Sequence, residues 1–196
     1  MRRYADKTFW EKRAEIYRKR GRSGGLNFIA ERELHAAANL WKTYMADGVG
    51  WTVELGAGYG RFWEMVPPPA KLILLDIIPI LLKALPERHR VVADAQALPF
   101  PSRSLNQICA LGLTEYLPDL LNFLINLRRS AQDGARLLFS SSPPTVPNRL
   151  RKWSGFRAIP RPDPLVKAVL IAAGWRLLRK EPLRAGWQSL WVVEAY

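Results

Sequence analysis

The chain has 196 residues, which is enough for one domain with a substantial core and too few for two comfortable ones. Its formal net charge of +13 favours anionic partners, although the same charge also suits a solvated surface. With one cysteine, Cys109, and no run of about eighteen uncharged apolar residues, the sequence excludes an internal disulfide and a transmembrane helix, and we expect a cytoplasmic protein.

Two helices are predicted before the first strand, over residues 4–22 and 27–46, and they make residues 1–48 an N-terminal helical extension. The first of these helices mixes aromatic and basic residues. It could act as a lid, lie on a lipid surface, guide RNA, or simply pack on the domain. His35, in the second helix, is a candidate general base, but a lone histidine on a helix is more often structural.

A glycine-rich turn follows the first strand. The apolar run 51–55 predicts a buried strand, and Gly56, Gly58 and Gly60 come directly after it, before a short helix over 61–66. Glycines in such a turn permit positive φ and the close approach of a ligand, and the helix N-terminus offers N–H groups to a polar group. The pattern is typical of a nucleotide-like ligand, although its third glycine comes one position earlier than in a dinucleotide fingerprint.

Acidic residues end the next two strands. The strand over 71–75 leads to Asp76, about twenty residues past the turn, where a carboxylate can accept both ribose hydroxyls. A third strand over 90–93 leads to Asp94. Pro79 opens a helix over 80–85 between them. Short strands that alternate with helices require right-handed parallel crossovers, and hence a doubly wound sheet.

The second half of the chain continues the alternation. A fourth strand over 106–111 leads to Glu115 and Tyr116, and a helix over 120–130 is expected to end at Gly134. A fifth strand over 135–140 precedes a segment rich in proline, serine and arginine, 141–164, which is either a substrate-binding insertion or a solvated loop. Asp163 is expected to cap a helix through 173, and strands over 175–180 and 188–195 must pair antiparallel.

Three of these motifs resemble those of the class I S-adenosylmethionine-dependent methyltransferases, in particular their small-molecule branch, of type 11. Residues 54–60 resemble the E/D-x-G-x-G-x-G motif, Asp76 resembles the ribose acid, and residues 94–100 resemble the loop beside the adenine. The resemblance implies a three-layer, Rossmann-like α/β fold: a doubly wound, mostly parallel seven-stranded sheet with an antiparallel C-terminal hairpin, formed by residues 49–196.

The resemblance also implies a cofactor site for S-adenosylmethionine, with S-adenosylhomocysteine as the product. The residues that it assigns to this site are Glu54, Gly56, Ala57, Gly58, Gly60, Asp76, Ile77, Asp94, Ala95 and Leu111. No catalytic base can be named; Tyr116, Glu115 and His35 are weak candidates. Where small-molecule relatives often carry a histidine, this chain has Tyr116, so proton abstraction there is in doubt.

The expected activity is methyl transfer to a small-molecule or lipid-like acceptor by in-line displacement. An RNA methyltransferase that uses the basic surface, or a noncatalytic scaffold that binds the cofactor, are the alternatives. The sequence lacks the motifs of zinc hydrolases, zinc-binding cysteine pairs, serine hydrolases and P-loop enzymes, and no metal is expected. Peripheral contact with a membrane stays open. The acceptor, the modified atom and the oligomeric state do not follow from the sequence.

Overall fold

The protein is described by a computed structural model that covers residues 7–20, 25–46, 48–83, 89–146, 148, 157–183 and 187–196. Its helices are α1 (Lys7–Arg20), α2 (Gly25–Tyr44), α3 (Pro79–Lys83), α4 (Leu120–Ser130) and α5 (Asp163–Ala172). Its strands are β1 (Thr52–Leu55), β2 (Leu72–Asp76), β3 (His89–Val92), β4 (Leu105–Ala110), β5 (Ala131–Ser141), β6 (Trp175–Pro182) and β7 (Ser189–Ala195). Two 3₁₀ turns lie at Arg61–Glu64 and Thr114–Tyr116.

All seven strands form one sheet in the order β3-β2-β1-β4-β5-β7-β6. Strands β1 to β5 pair in parallel, whereas β7 runs antiparallel to both β5 and β6. The predicted doubly wound sheet and C-terminal hairpin are therefore confirmed. In the sheet, β2 lies on one side of β1 and β4 lies on its other side, so the direction in which strands are added reverses at β1. In sheets of this kind, the crevice at the carboxyl ends of the two strands that flank such a switch point is where ligands bind.

The core lies on both faces of the sheet because strand residues alternate between them. Val53 and Leu55 of β1 belong to the larger cluster, which includes α4 and α5 side chains. Cys109 and Leu138, from β4 and β5, face the other cluster together with side chains of α2. The helices thus cover both faces, which gives the expected three layers. Cys109 is fully buried, as its apolar surroundings predict, and burial raises the pKa of its thiol.

Three local predictions were wrong. Helix α4 ends before Ala131, and Gly134 lies inside a longer β5 with φ of 77°, opposite an irregularity in the pairing with β4. Gly134 therefore bends a strand instead of ending a helix. Asp163 is the first residue of α5, after Pro162, and its carboxylate accepts from Lys180. The predicted helix after the glycine turn is a single 3₁₀ turn.

Some predictions lie outside the described residues. Residues 1–6, 21–24 and 149–156 are among those that the structure does not describe. The N-terminal boundary of the first predicted helix and most of the basic part of the segment 141–164 lie there. Within the described ranges, no helix has the length and apolar character needed to cross a membrane.

Candidate active site

The glycine turn after β1 adopts the backbone that its sequence predicts. Gly56, Gly58 and Gly60 have φ angles of 68°, 54° and 65°. Backbone hydrogen bonds hold the turn, among them one from the Ala57 amide to the Leu75 carbonyl at 3.0 Å and one from the Gly60 amide to the Ala57 carbonyl at 2.8 Å. A Cβ added at Gly58 would have no heavy atom closer than the Gly56 oxygen, at 4.0 Å. The turn is therefore open at Gly58, and a ligand could approach its backbone there.

Asp76, at the end of β2, joins this turn to the neighbouring strand. Its Oδ2 accepts from the Gly58 amide and its Oδ1 from the Ile78 amide, both at 2.8 Å. Burial raises the pKa of this carboxyl from its usual value, whereas the backbone hydrogen bonds, including one from Ile77, lower it. Each carboxylate oxygen has two lone pairs. The carboxylate thus has acceptor capacity beyond the Gly58 and Ile78 bonds, as a site for vicinal hydroxyls requires.

Glu54 lies one residue before the end of β1 and faces the α2 side of the sheet. The indole Nε1 of Trp63 donates to its Oε2 at 2.6 Å, and the Trp63 ring packs at right angles to Trp41, 5.0 Å away. Burial raises the pKa of Glu54 to about 8; the Trp63 hydrogen bond opposes this shift, and the Asp76 charge adds to it. The hydrogen bond between Glu54 and Trp63 therefore connects β1 to the 3₁₀ turn that follows the glycines.

The end of β3 approaches the same place. The Ala93 amide donates to the Asp76 carbonyl at 3.2 Å, which brings the loop that starts at Asp94 beside the end of β2. Asp94 is exposed, and its Oδ1 accepts from the Gln96 amide at 2.9 Å in a local turn. Ala95 is buried. Asp76 and Asp94, two of the three acids predicted for the cofactor site, thus lie at adjacent strand ends.

The turn after β4 forms the other side of the crevice. Leu111 is half-buried, and the side chain of Leu113 reaches the glycine turn, since a Cβ at Gly56 would lie 3.3 Å from its Cδ1. Glu115 is buried and accepts from Gln188 Nε2 at 2.7 Å, so its carboxylate is engaged on the β7 side. Tyr116 is buried beneath α1.

The third catalytic candidate, His35, comes from a different element. It lies on α2 with an exposed side chain, and α2 packs against β5, β7 and the 3₁₀ turn at Arg61–Glu64. Of the three catalytic candidates, Glu115 and Tyr116 therefore share the turn after β4, and His35 lies apart from them.

A strap formed by residues 157–161 holds the turn after β4 in place. The Ile159 amide donates to the Glu115 carbonyl at 2.6 Å. The buried Arg161 guanidinium donates to three carbonyls of the turn: Thr114 at 2.9 Å, Pro118 at 3.4 Å, and Leu117. Sequence reasoning missed Arg161. Its position between two prolines, Pro160 and Pro162, hints at a constrained segment but not at its partners.

Helix α1 crosses above the crevice and contacts both of its sides. The Tyr59 hydroxyl, in the glycine turn, donates to the Ala14 carbonyl of α1 at 3.3 Å. The Trp10 ring meets the Tyr116 ring edge to face, with centroids 4.7 Å apart. Because Tyr59 follows β1 and Tyr116 follows β4, α1 forms a roof over the carboxyl ends of these two strands.

Residues 53–139, which contain the glycine turn, Asp76, Asp94 and strands β2 to β4, match the family model described as a methyltransferase domain. Over this stretch, which is less than half of the chain, the sequence is similar to a methyltransferase domain. No curated protein shows significant sequence similarity to this chain.

Solved structures with the same fold are numerous and distant in sequence. Magnesium protoporphyrin IX methyltransferase from Synechocystis PCC 6803, solved with bound S-adenosylhomocysteine, has a TM-score of 0.72 at 16% identity and covers 100% of this chain and 98% of that one. A chain from the Haloferax volcanii complex between the Trm112 methyltransferase activator and a putative methyltransferase has a TM-score of 0.71 at 15% identity, with 85% and 91% covered.

The [4+2]-cyclase SpnF also shares the fold, with a TM-score of 0.68 at 11% identity and with 82% of this chain and 81% of that one covered. At such identities the likeness concerns the fold alone, and the fold supports more than one chemistry. Among the residues that the structure describes, no group of three or more His, Cys, Asp or Glu side chains is placed to hold a metal ion.

Proposed function

We propose that this protein is a class I S-adenosylmethionine-dependent methyltransferase, which binds the cofactor at the glycine turn and transfers its methyl group to a small-molecule acceptor. One observation carries the proposal: the buried Asp76 carboxylate is tied to the Gly58 amide at 2.8 Å, at the open point of the turn. This arrangement places an acceptor of hydrogen bonds and an unobstructed backbone side by side. A ribose with two adjacent hydroxyls fits both features.

The cofactor residues divide into four groups by their position. Gly56, Ala57, Gly58 and Gly60 would border the amino-acid and ribose end, with Glu54 bracing the turn through Trp63. Asp76 and Ile77 would hold the ribose, and Asp94 and Ala95 would meet the adenine. Leu111, at the end of β4, would face the region of the transferred group.

When bound, the cofactor supplies a methyl group on a sulfonium: the acceptor's lone pair forms the new bond to the methyl carbon, and the electron pair of the broken C–S bond returns to sulfur. The chain's own task is then mainly positioning and the exclusion of water. Helix α1 would exclude water from above, and the turn after β4, fixed by Arg161, would form the wall beside the acceptor.

The position of helix α1 over the crevice favours a small acceptor. Helix α1 touches the turns after both β1 and β4, so the space beneath it suits a compact ligand better than a polymer. The aromatic residue Trp10 of α1 packs on Tyr116 within the protein. This favours a lid over a lipid anchor, since an anchor needs its aromatic side chains for the membrane.

RNA is the second candidate acceptor, because the net charge of +13 is high for a chain of this length. The two acceptors differ in their response to salt. Binding of RNA should weaken steeply as the salt concentration rises, since counterions are released when phosphates are neutralised, whereas binding of a small acceptor should change far less.

The test is calorimetric titration of the purified protein with S-adenosylmethionine, S-adenosylhomocysteine and NAD. We expect the first two to bind and NAD not to bind, and Asp76→Asn to weaken their affinity about tenfold or more, or about 1.4 kcal/mol. Asp133→Asn is the control, because Asp133 is exposed at the amino end of β5, at the opposite end of the sheet. Preferential binding of NAD, or equal affinity in Asp76→Asn, would overturn the assignment.

A further inference from the structure

A groove of about 420 Å³ lies between α5 and β6, at the edge of the sheet. Its strand, β6, is four positions from β1 in the sheet, which is about 19 Å at the usual spacing between strands. Because β6 runs in the same direction as β5, it begins at the amino end of the sheet, whereas the crevice lies at the carboxyl ends of β1 and β4. The groove is therefore separate from the candidate active site. Its apolar and aromatic lining residues are Leu170, Ile171, Trp175, Leu177 and Tyr196.

The groove has a buried apolar floor and an exposed rim. Leu170 and Trp175 are 1% and 0% exposed, whereas Ile171 and Tyr196 are 57% and 61% exposed. The Tyr196 hydroxyl donates to the Ile171 carbonyl at 3.4 Å, which connects the two rim residues. Small-molecule sites have volumes of about 300–1,000 Å³ and are lined mainly by apolar side chains. The groove thus has the size and the lining of a site for a small apolar body.

Two cationic side chains also line the groove, and they differ in their partners. Arg176 forms an ion pair with Glu194 on β7. The Lys167 side chain is exposed and forms no ion pair or hydrogen bond with the residues that the structure describes. An ammonium group carries three donors, and charge-assisted hydrogen bonds to a carboxylate are strong. A ligand with an anionic head and an apolar body matches both Lys167 and the apolar lining.

Two kinds of protein partner suit this edge of the sheet poorly. A strand added from another chain needs a regular edge, but β6 carries Arg179, Lys180 and Pro182, and its register is irregular between Leu177 and Arg179. Cationic residues, prolines and bulges oppose such pairing between strand edges. A second copy of the chain would place the same basic groove against itself and bring two Lys167 side chains together, in a chain with a net charge of +13. A small anionic ligand meets neither obstacle.

We propose that this groove binds a free, single-chain amphiphile with a carboxylate head, such as a medium-chain fatty acid. The alkyl chain lies along Leu170, Trp175 and Ile171, and the carboxylate accepts from the Lys167 ammonium. An alkyl chain suits a groove with an open rim, because its affinity comes from buried apolar area and needs no polar partner along its length. This second ligand site does not depend on the proposed function, since it lies apart from the glycine turn.

The experiment is a titration of the full, isotope-labelled chain with hexanoate, octanoate and decanoate, each below its micelle-forming concentration, followed by NMR of the backbone amides. We expect the largest shift changes in residues 165–178 and 194–196, around the groove. The affinity should rise about threefold for each added methylene, because each buries further apolar area. Octanol, which is neutral and of nearly equal size, should bind about fivefold more weakly than octanoate.

Two variants remove the two parts of the site. Lys167→Gln should lower the affinity for octanoate about fivefold and keep that for octanol within about twofold of wild type, because only the charge is lost. Ile171→Asn should weaken both probes about fivefold, because apolar contact is lost. Lys83→Gln and Ile80→Asn are the matched controls: both residues are exposed on α3, which packs on β2 and β3 at the other edge of the sheet, and Ile80 is 56% exposed. These controls should bind both probes as the wild type does.

Equal affinity of the wild type for octanoate and octanol, or a preference for octanoate that survives in Lys167→Gln, would overturn the inference. Shift changes centred on Gly58 and Ile77 would also overturn it, since the amphiphile would then lie in the crevice. Sedimentation with phosphatidylglycerol vesicles separates a membrane surface from the free amphiphile. If the chain binds these vesicles through Lys167 but does not bind octanoate, the occupant of the groove is a lipid surface, and the proposal of a free amphiphile is wrong.

Discussion

The indole nitrogen of Trp63 donates a hydrogen bond of 2.6 Å to an oxygen of the buried Glu54 carboxyl group. Burial raises the pKa of Glu54 from 4.5 to about 8, and the nearby Asp76 charge acts in the same direction. Around neutral pH the folded protein therefore holds a proton on Glu54 that the unfolded chain releases. This couples folding to pH through one residue beneath the glycine turn.

The first prediction concerns this coupling. A raised carboxyl pKa stabilises the fold below the unfolded value of 4.5, and the stabilisation is lost as the pH rises toward about 8. Glu54→Gln keeps a neutral, nearly isosteric group. The stability of the wild type relative to Glu54→Gln should therefore fall by up to about 1.4 kcal/mol per pH unit within this window. Urea unfolding at pH 5.5, 6.5, 7.5 and 9 measures this difference.

Above about pH 8 the difference between wild type and Glu54→Gln should become constant, because Glu54 is then charged in both states. A difference that does not vary with pH between 5.5 and 7.5 would contradict the raised pKa. Trp63→Phe adds a second comparison: loss of the indole donor should raise the pKa further, and so extend the window upward.

The second prediction concerns the open glycine. Gly58→Ala puts a side chain on a residue with φ of 54°, which should cost about 1 kcal/mol of stability. It also places a methyl group where we propose that the cofactor approaches, so the affinity for S-adenosylhomocysteine should fall about tenfold or more. Thermal unfolding and calorimetry measure the two effects.

Gly134→Ala is the matched control for Gly58→Ala. Gly134 has φ of 77° with no atom within 4 Å of an added Cβ, and it lies at the amino end of β5. It should show a similar loss of stability and an unchanged cofactor affinity. If Gly58→Ala binds the cofactor as tightly as Gly134→Ala does, the glycine turn is not part of the cofactor site.

The third prediction concerns Arg161. Arg161→Met keeps the apolar stem but removes the donors to the carbonyls of Thr114, Leu117 and Pro118. Buried carbonyls that lose a charged donor cost stability, so we expect a loss of about 3 kcal/mol in urea unfolding. Arg103→Met, which breaks an exposed ion pair with Asp133, should cost far less. Equal losses in the two variants would show that the Arg161 contacts contribute little.

The fourth prediction concerns the roof. Trp10→Ala removes the ring contact with Tyr116, and aromatic pairs contribute about 0.5–1.5 kcal/mol beyond the area they bury. Amide hydrogen exchange in α1 should therefore become about tenfold faster, while exchange in the central strands stays unchanged. Mass spectrometry of peptides from residues 7–20 measures this effect.

Trp51→Ala serves as the control for the roof, because Trp51 makes a similar edge contact with His89 at the amino end of the sheet. It should leave exchange in α1 as in the wild type. If Trp10→Ala also leaves exchange in α1 unchanged, other contacts hold α1 in place. Loss of the contact between Trp10 and Tyr116 would then not open a lid.

Local chemistry was sufficient for the predictions that proved correct. The three glycines have positive φ, as the turn requires. The short apolar runs form buried strands, and their alternation with helices along the chain predicted the parallel sheet. The hairpin of β6 and β7 followed from two strands without a helix between them. Predictions failed where one local pattern is typical of two structures: a glycine at the position of Gly134 can end a helix or bend a strand.

The sequence by itself determined which segments form strands, where the glycine turn lies and which acids follow two of the strands, because each depends on residues within a few positions of one another. Tertiary structure alone decided which side chains meet. Arg161 reaches the Thr114 carbonyl across 47 positions, and Tyr59 reaches Ala14 across 45. The raised pKa of Glu54 likewise comes from burial beneath α2, and no pattern of neighbouring residues encodes it.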